Sequence, residues 1–370
     1  MRRERDRELE RRLRDLPLPD EAEAEERSWE VVRAAYEERT PVRPTYRARR
    51  LALALAAGAV LLAIGLSPAG AQMSDWVRDV VGEEDAKPEL KTLPAAGEIL
   101  VEGPDGVWIV RDDGSKRKLG DYDEASWSPN GLFVAVTDGN RLLAVTPEGE
   151  VRWEIEAPAT VHDPRWAGTD VDTRVAYRSN GDLWVVAGDG SGEHLVAESV
   201  APVAPAWRPL GDTKLGDFSG HVLIYRSGSG EIHAVDADLG REIPNQRGDA
   251  RLLHASEHRT GHGRLALAPS DRSSARMRPT RGGSELVLPR QAGIRKRVLF
   301  SAPGLLTGPT WSPDGRWLLI GWPRADQWLF INADDPTRVK PFENIAEQFG
   351  GDASQAGDFP RVAGWLLPQR

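Results

Sequence analysis

The chain has 370 residues, with 48 Lys and Arg against 57 Asp and Glu and a formal net charge of −9. That length holds one large repeat domain with further segments, and the acidic balance argues against a general nucleic-acid binder. Cysteine is absent, which excludes disulfides, thiolate metal sites and a cysteine nucleophile. Arginine is much commoner than lysine, as in proteins from GC-rich genomes.

Residues 2–15 alternate basic and acidic side chains at helical spacing and have almost nothing to bury. Leu16-Pro17-Leu18-Pro19 interrupts them, and Asp20 caps a second predicted helix over 21–39 with acidic residues in its first turn. Trp29, Val32 and Tyr36 share one face of that helix. Such a stripe is a candidate docking element for a cytoplasmic partner. The plainer reading is a helix that frays or lies on the membrane surface.

Leu51 to Leu66 is a run of sixteen residues without a charged or polar side chain. Extended to Ala71 it reaches the length that spans a bilayer. Arg47, Arg49 and Arg50 flank one end, and the first charge beyond the other is Asp75. The positive-inside rule then places the N-terminus in the cytoplasm and the remainder outside. The predicted organisation is a cytoplasmic helical segment (1–50), a single transmembrane helix (51–71), a juxtamembrane helix and linker (72–96) and an extracytoplasmic domain (97–370). Ala69-Gly70-Ala71 also fits the cleavage site of an export signal, although the preceding segment is far longer than an ordinary n-region. A soluble buried helix is the third reading. Asp75 to Val81 has apolar residues at Trp76, Val77, Val80 and Val81, the pattern of a short helix at the outer interface. Lys87 to Ala96, with Pro88 and Pro94, reads as a linker.

Beyond it the sequence repeats. Trp127-Ser128-Pro129-Asn130-Gly131 returns as Trp311-Ser312-Pro313-Asp314-Gly315, with degenerate copies at Asp163-Pro164-Arg165-Trp166 and Ala206-Trp207-Arg208-Pro209. The upstream tryptophans stand 39 and 41 residues apart, the period of a propeller blade. Each unit carries β-branched and aromatic runs such as Gly181 to Val186 and Gly106 to Val110, bounded by turns such as Asp113-Gly114-Ser115. These are hairpin signals. The pattern resembles the TolB-like (PD-type, WD-like) propeller repeat over residues 97–368, and such repeats host many unrelated functions.

Units beginning near Ser126, Asp163, Pro205, Leu252 and Thr310, with one assembled from both ends, predict an all-β, six-bladed β-propeller. Leu252 to Ser256 occupies the Trp-strand position of the weakest unit. The first unit lacks a Trp strand while Arg361 to Leu367 is an orphan one, so the C-terminal strand is expected to close the first blade beside residues 98–103. Closure removes the open sheet edges. Eight of the 13 tryptophans fall at repeat positions. Trp127, Trp166, Trp207, Trp311 and Trp365 are therefore expected in packing between blades rather than in a ligand platform.

Chemistry is sparse. No Gly-x-Ser-x-Gly elbow, P-loop or Gly-x-Gly-x-x-Gly fingerprint occurs, so no catalytic or cofactor-binding residues are assigned and no cofactor is expected. His254, His258 and His262 have the spacing of a zinc-binding helix face, but nearby Gly261 and Gly263 favour a polar loop and no metal site. Asp236 to Gly240 lacks the distal Glu of a calcium loop and reads as a turn. Arg272, Arg276, Arg278 and Arg281 read as a basic surface loop, with contact to anionic headgroups or wall polymers as the alternative.

The expected function is a membrane-anchored, non-catalytic protein- or ligand-binding or scaffolding module of a bacterial cell envelope, actinobacterial in type, with no nucleic-acid partner. The layout also resembles an anti-sigma-factor-type transmembrane regulator, in which the propeller would be the sensor and Trp29, Val32 and Tyr36 would dock a cytoplasmic regulator. The zinc motif common in that family is absent. An exported soluble TolB-like propeller is the remaining alternative.

Overall fold

The computed structural model describes residues 92–169, 171–209, 219–256, 265–267, 274–289, 296–352 and 359–368. The expected cytoplasmic helices with Trp29, Val32 and Tyr36, the apolar segment 51–71 and the juxtamembrane helix lie outside these residues. Among the described residues no helix is long and apolar enough to cross a membrane.

The strands of the described residues form six four-stranded antiparallel sheets in sequence order. Sheet 1 takes β1 (Glu98–Gly103), β2 (Gly106–Val110) and β3 (Lys116–Gly120). Sheet 2 is β4 (Ala125–Trp127), β5 (Val134–Asp138), β6 (Arg141–Val145) and β7 (Val151–Glu156). Sheet 3 is β8 (Val161–Gly168), β9 (Thr173–Ser179), β10 (Asp182–Ala187) and β11 (His194–Ala197). Sheet 4 is β12 (Ala206–Trp207), β13 (Val222–Arg226), β14 (Ile232–Asp236) and β15 (Arg241–Ile243). The helix α1 (Asp249–Ser256) precedes sheet 5, which is β16 (Leu265–Leu267), β17 (Ser274–Pro279), β18 (Gly283–Leu288) and β19 (Arg297–Pro303). Sheet 6 is β20 (Thr307–Trp311), β21 (Trp317–Trp322), β22 (Gln327–Asn332) and β23 (Val339–Glu343), followed by the one-turn helix α2 (Ile345–Gln348). The last strand, β24 (Arg361–Leu366), returns to pair with β1 and becomes the first strand of sheet 1. This is the pairing of 362–367 beside 98–103 that the orphan Trp strand implied.

Local chemistry explains the strand boundaries. At the end of β4 the Ser128 hydroxyl donates to Asn130 Oδ1 at 2.8 Å and accepts from Phe133 N at 3.0 Å, folding the proline turn onto itself. The copy in sheet 6 repeats this, with Ser312 Oγ donating to Asp314 Oδ1 at 2.5 Å and accepting from Trp317 N at 2.9 Å. Gly131 has φ +72°, and a Cβ there would meet Leu366 Cδ2 at 2.9 Å, so the turn needs glycine for both conformation and space.

Apolar clusters join sheets 1 to 4 in succession, and sheets 5 and 6 to each other and to sheet 1. Leu100, Ile109, Trp127, Val134 and Leu143 fill the seam between sheets 1 and 2. Leu142, Trp166, Val175 and Tyr177 fill the next seam, and Leu183, Val185, Leu223 and Val235 the one after. Leu286 and Leu299 pack with Trp311 and Leu329 between sheets 5 and 6. Ile99, Val101, Trp365, Leu319, Trp328 and Phe330 join sheet 6 back to sheet 1. Adjacent sheets share no ladder, so inner-strand N–H groups bond to side chains from the neighbouring sheet. Glu102 accepts from Ala125 N at 2.9 Å, Glu124 from Asp163 N at 2.7 Å, and Ser126 Oγ from Trp166 N at 3.1 Å. Four-stranded sheets closed radially in this way are a β-propeller.

Three expectations are corrected. Leu252 to Ser256 is not the Trp strand of the fifth unit but lies in α1, and sheet 5 starts at β16. Asp249 accepts from Gln246 N at 2.7 Å at the start of the helix, and Leu253 is fully buried with Val222, Ile224 and Ile243 of sheet 4. The residues up to Ala96 are not all linker: Leu93 is buried, and its N–H donates to the Asp112 carbonyl at 2.9 Å. Arg276 and Arg278 are not in a loop but on β17, where Arg278 pairs with Glu285. Cross-strand pairing with Glu285 supplies the charge partner that the sequence run alone did not reveal.

Candidate functional site

In an up-and-down sheet, the first and third connections emerge at the same end. Between sheets 2 and 3 those connections enclose a cavity of about 470 Å³. Sheet 2 contributes Ser128, Asn130 and Phe133 from the β4–β5 turn, with Arg152 and Trp153 from β7. Sheet 3 contributes Trp166 from β8, Val171 and Asp172 from the β8–β9 connection, Thr173 and Arg174 from the start of β9, and Ala187 to Asp189 from the end of β10 and the turn after it.

The aromatic wall is fixed. Phe133 stacks on Trp166 at 6.2 Å between ring centroids, and Trp153 lies tilted against Trp166 at 6.3 Å. Trp153 Nε1 donates to the Gly188 carbonyl at 2.9 Å, tying sheet 2 to sheet 3. A Cβ on Gly190 would approach Trp153 Cγ to 2.8 Å, so the turn that carries Asp189 can close over the ring only with glycine. Val171 is 96% exposed beside this wall, far beyond what a valine in a packed turn shows. Phe133 and Trp153 are half-buried and Arg152 is exposed.

The polar side is anchored from behind. Arg174 Nε donates to Asp238 Oδ1 at 2.7 Å and its Nη1 to Asp172 Oδ1 at 2.5 Å, so one guanidinium joins sheets 3 and 4. Burial works against the charge of Arg174, but the bonds to Asp238 and Asp172 outweigh it and raise its pKa. Burial likewise opposes ionisation of Asp238, yet the Arg174 and His221 hydrogen bonds and the Arg174 charge hold its carboxyl below the usual range. Ser191 hydrogen bonds lower the Asp189 carboxyl in its exposed turn. The site therefore offers aromatic faces, an exposed aliphatic residue and fixed charges of both signs.

The predicted repeat residues lie elsewhere or beneath. Trp127, Trp166, Trp207, Trp311 and Trp365 sit on the first strands of sheets 2, 3, 4, 6 and 1, and Trp166 alone among them lines the cavity. Trp207 Nε1 donates to the Arg165 carbonyl at 2.9 Å. The Nε1 atoms of Trp127, Trp166 and Trp365 are buried without a hydrogen-bond partner. Asp236 to Gly240 forms a turn in which Asp236 Oδ1 accepts from Asp238 N and Leu239 N, both at 3.1 Å. His254 is on α1, while His258, His262 and Arg272 lie outside the described residues. Among the described residues no cluster of three potential ligands could hold a metal ion. Sequence reasoning passed over Trp153, Arg152, Val171 and Arg174. The available signal was Trp153, a tryptophan out of register with the repeat.

The chain matches no protein-family model and no curated protein. Similar solved structures include BamB from Moraxella catarrhalis, 14% identical over 70% of this chain and 89% of that one, with a TM-score of 0.39. TolB from Acinetobacter baumannii is 14% identical over 72% of this chain and 67% of its own, with a TM-score of 0.41. A chain of a nidogen/laminin complex is 11% identical over 74% of this chain and 100% of its own, with a TM-score of 0.43. The propeller assignment rests on the sheet order and seams described above.

Proposed function

We propose that the chain is a membrane-anchored, six-bladed propeller outside the cytoplasm that acts as a non-catalytic binding or scaffolding module of the cell envelope. The observation that carries this reading is the cavity between sheets 2 and 3. Its Trp153 and Phe133 faces, with the exposed Val171, offer a partner a concave surface in which aromatic faces alternate with polar and charged groups. The six four-stranded sheets and the cluster joining sheet 6 to sheet 1 support the blade count. The apolar run 51–71 and its flanking arginines support the anchor. The partner is an envelope protein or ligand. The regulator alternative rests on Trp29, Val32 and Tyr36, outside the described residues.

Two measurements test the reading. Alanine at Arg152 and Trp153 together is expected to remove partner capture while the purified chain keeps its far-ultraviolet spectrum. Capture that persists would move binding away from the cavity. Protease added to intact spheroplasts is expected to digest the propeller and spare about the first fifty residues, as an uncleaved span requires. Soluble protein beginning near Gln72 would instead identify a cleaved export signal.

A further inference from the structure

We propose that the seam between sheets 3 and 4 is a proton-controlled clamp, in which His194 and His221 hold the two sheets together as imidazolium ions. His194 lies on β11, with Nδ1 2.8 Å from the Gly192 carbonyl and Nε2 2.7 Å from the Ala237 carbonyl across the seam. A carbonyl oxygen can only accept. Both contacts are therefore hydrogen bonds only when both ring nitrogens carry a proton. The neutral ring keeps one and turns the other into a lone-pair repulsion.

His221 has the same arrangement from the opposite side. Its Nδ1 is 3.0 Å from Asp238 Oδ2, and its Nε2 is 3.4 Å from the Asp172 carbonyl and 3.8 Å from Asp172 Oδ2. The residue is 4% exposed, with its ring edge-on to Trp207 at 6.5 Å. Charge counting favours the same state. Asp172, Asp236 and Asp238 supply three negative charges and Arg174, bonded to Asp172 and Asp238, supplies one positive. An imidazolium at His221 offsets part of this negative excess, and its loss leaves a further carboxylate uncompensated.

Ala237 and Asp238 are neighbours in the β14–β15 turn. One turn of sheet 4 is thus gripped by a histidine of sheet 3, while a histidine of sheet 4 reaches back to Asp172. The other charged groups nearby are occupied. Asp236 bonds Ser219 and the turn amides, and Glu193 accepts from the Tyr177 hydroxyl. His233 faces Glu231 and Glu242 within sheet 4 and does not cross the seam. Because Asp172 and Arg174 also line the cavity, the clamp sets the position of that wall. It operates whether or not the cavity takes a ligand.

Amide hydrogen exchange of residues 219–240 in the full chain, corrected for intrinsic rates, tests the clamp. Between about pH 5.5 and about pH 7.5, where histidine ordinarily loses its proton, seam protection is expected to fall roughly tenfold. The His194→Gln, His221→Gln double variant is expected to show no such change, and residues 317–332 of sheet 6 none in either protein. Protection that ignores pH in the wild type overturns the proposal, as does a fall that persists in the double variant. If the double variant does not fold, the single variants His194→Gln and His221→Gln decide: each should lose part of the pH dependence of seam protection, and single variants that both keep all of it would refute the clamp.

Discussion

Trp365 stands opposite Ile99 in the ladder between β24 and β1, so the last described strand is the inner strand of the sheet in which the propeller begins. Ile99, Leu100 and Val101 are fully buried beneath and around that junction. Fully burying one aliphatic side chain is worth about 1.5–3 kcal/mol. Closure therefore pairs the β1 edge and helps to cover these side chains.

Deleting residues 361–370 is expected to expose the β1 edge, broaden denaturant unfolding and promote association through the unpaired strand. Size-exclusion chromatography with a urea titration reads both effects. A truncated chain that stays monomeric and unfolds at the same midpoint would show that β24 is dispensable.

Trp127→Ala and Trp311→Ala should each cost roughly 3–5 kcal/mol by leaving a cavity in an inter-sheet cluster, since both indoles are buried among residues of two sheets. Both substitutions should lower the thermal midpoint to a similar extent. A loss confined to one of them would mean that the two repeat copies are not equivalent in packing.

The repeat was legible because its signals are local. The Ser128–Asn130 and Ser312–Asp314 turns close within five residues, and the strands between them are β-branched. Leu252 and Leu253 were misread because a short apolar run fits helix or strand equally, and sheet 5 has no tryptophan in register to decide. The cavity was invisible for a different reason. Arg152 and Trp153 come from one sheet and Asp172 and Arg174 from the next, so their meeting depends on how two sheets pack. The His194 and His221 contacts likewise exist only across a seam.

Arg208 and Asp249 form an ion pair at 2.7 Å with both side chains 2% exposed, pinning α1 to the end of β12. Asp249→Ala leaves a buried guanidinium uncompensated and should cost about 3–5 kcal/mol. Chemical denaturation measures it. An unchanged midpoint would show that α1 docks through Leu253 alone.

The Tyr177 hydroxyl donates to Glu193 Oε1. Burial first, then the bond to and the charge of Glu193, push its pKa well above the ordinary value. A raised folded value favours the neutral form, so this stabilisation is present below about pH 10 and is lost as pH rises above it. Alkaline unfolding curves should show a steeper fall above about pH 10 in the wild type than in Tyr177→Phe. Parallel curves would place the hydroxyl outside the stability balance.

The most direct test of the binding role is photocrosslinking from a probe placed at Val171 in intact envelopes, with a second probe at Asn140 in the β5–β6 turn at the other end of sheet 2. The account predicts a discrete adduct from position 171, abolished by the Arg152→Ala, Trp153→Ala pair, and none from position 140. Equal labelling from both positions, or an adduct at 171 that survives the alanine pair, would contradict it.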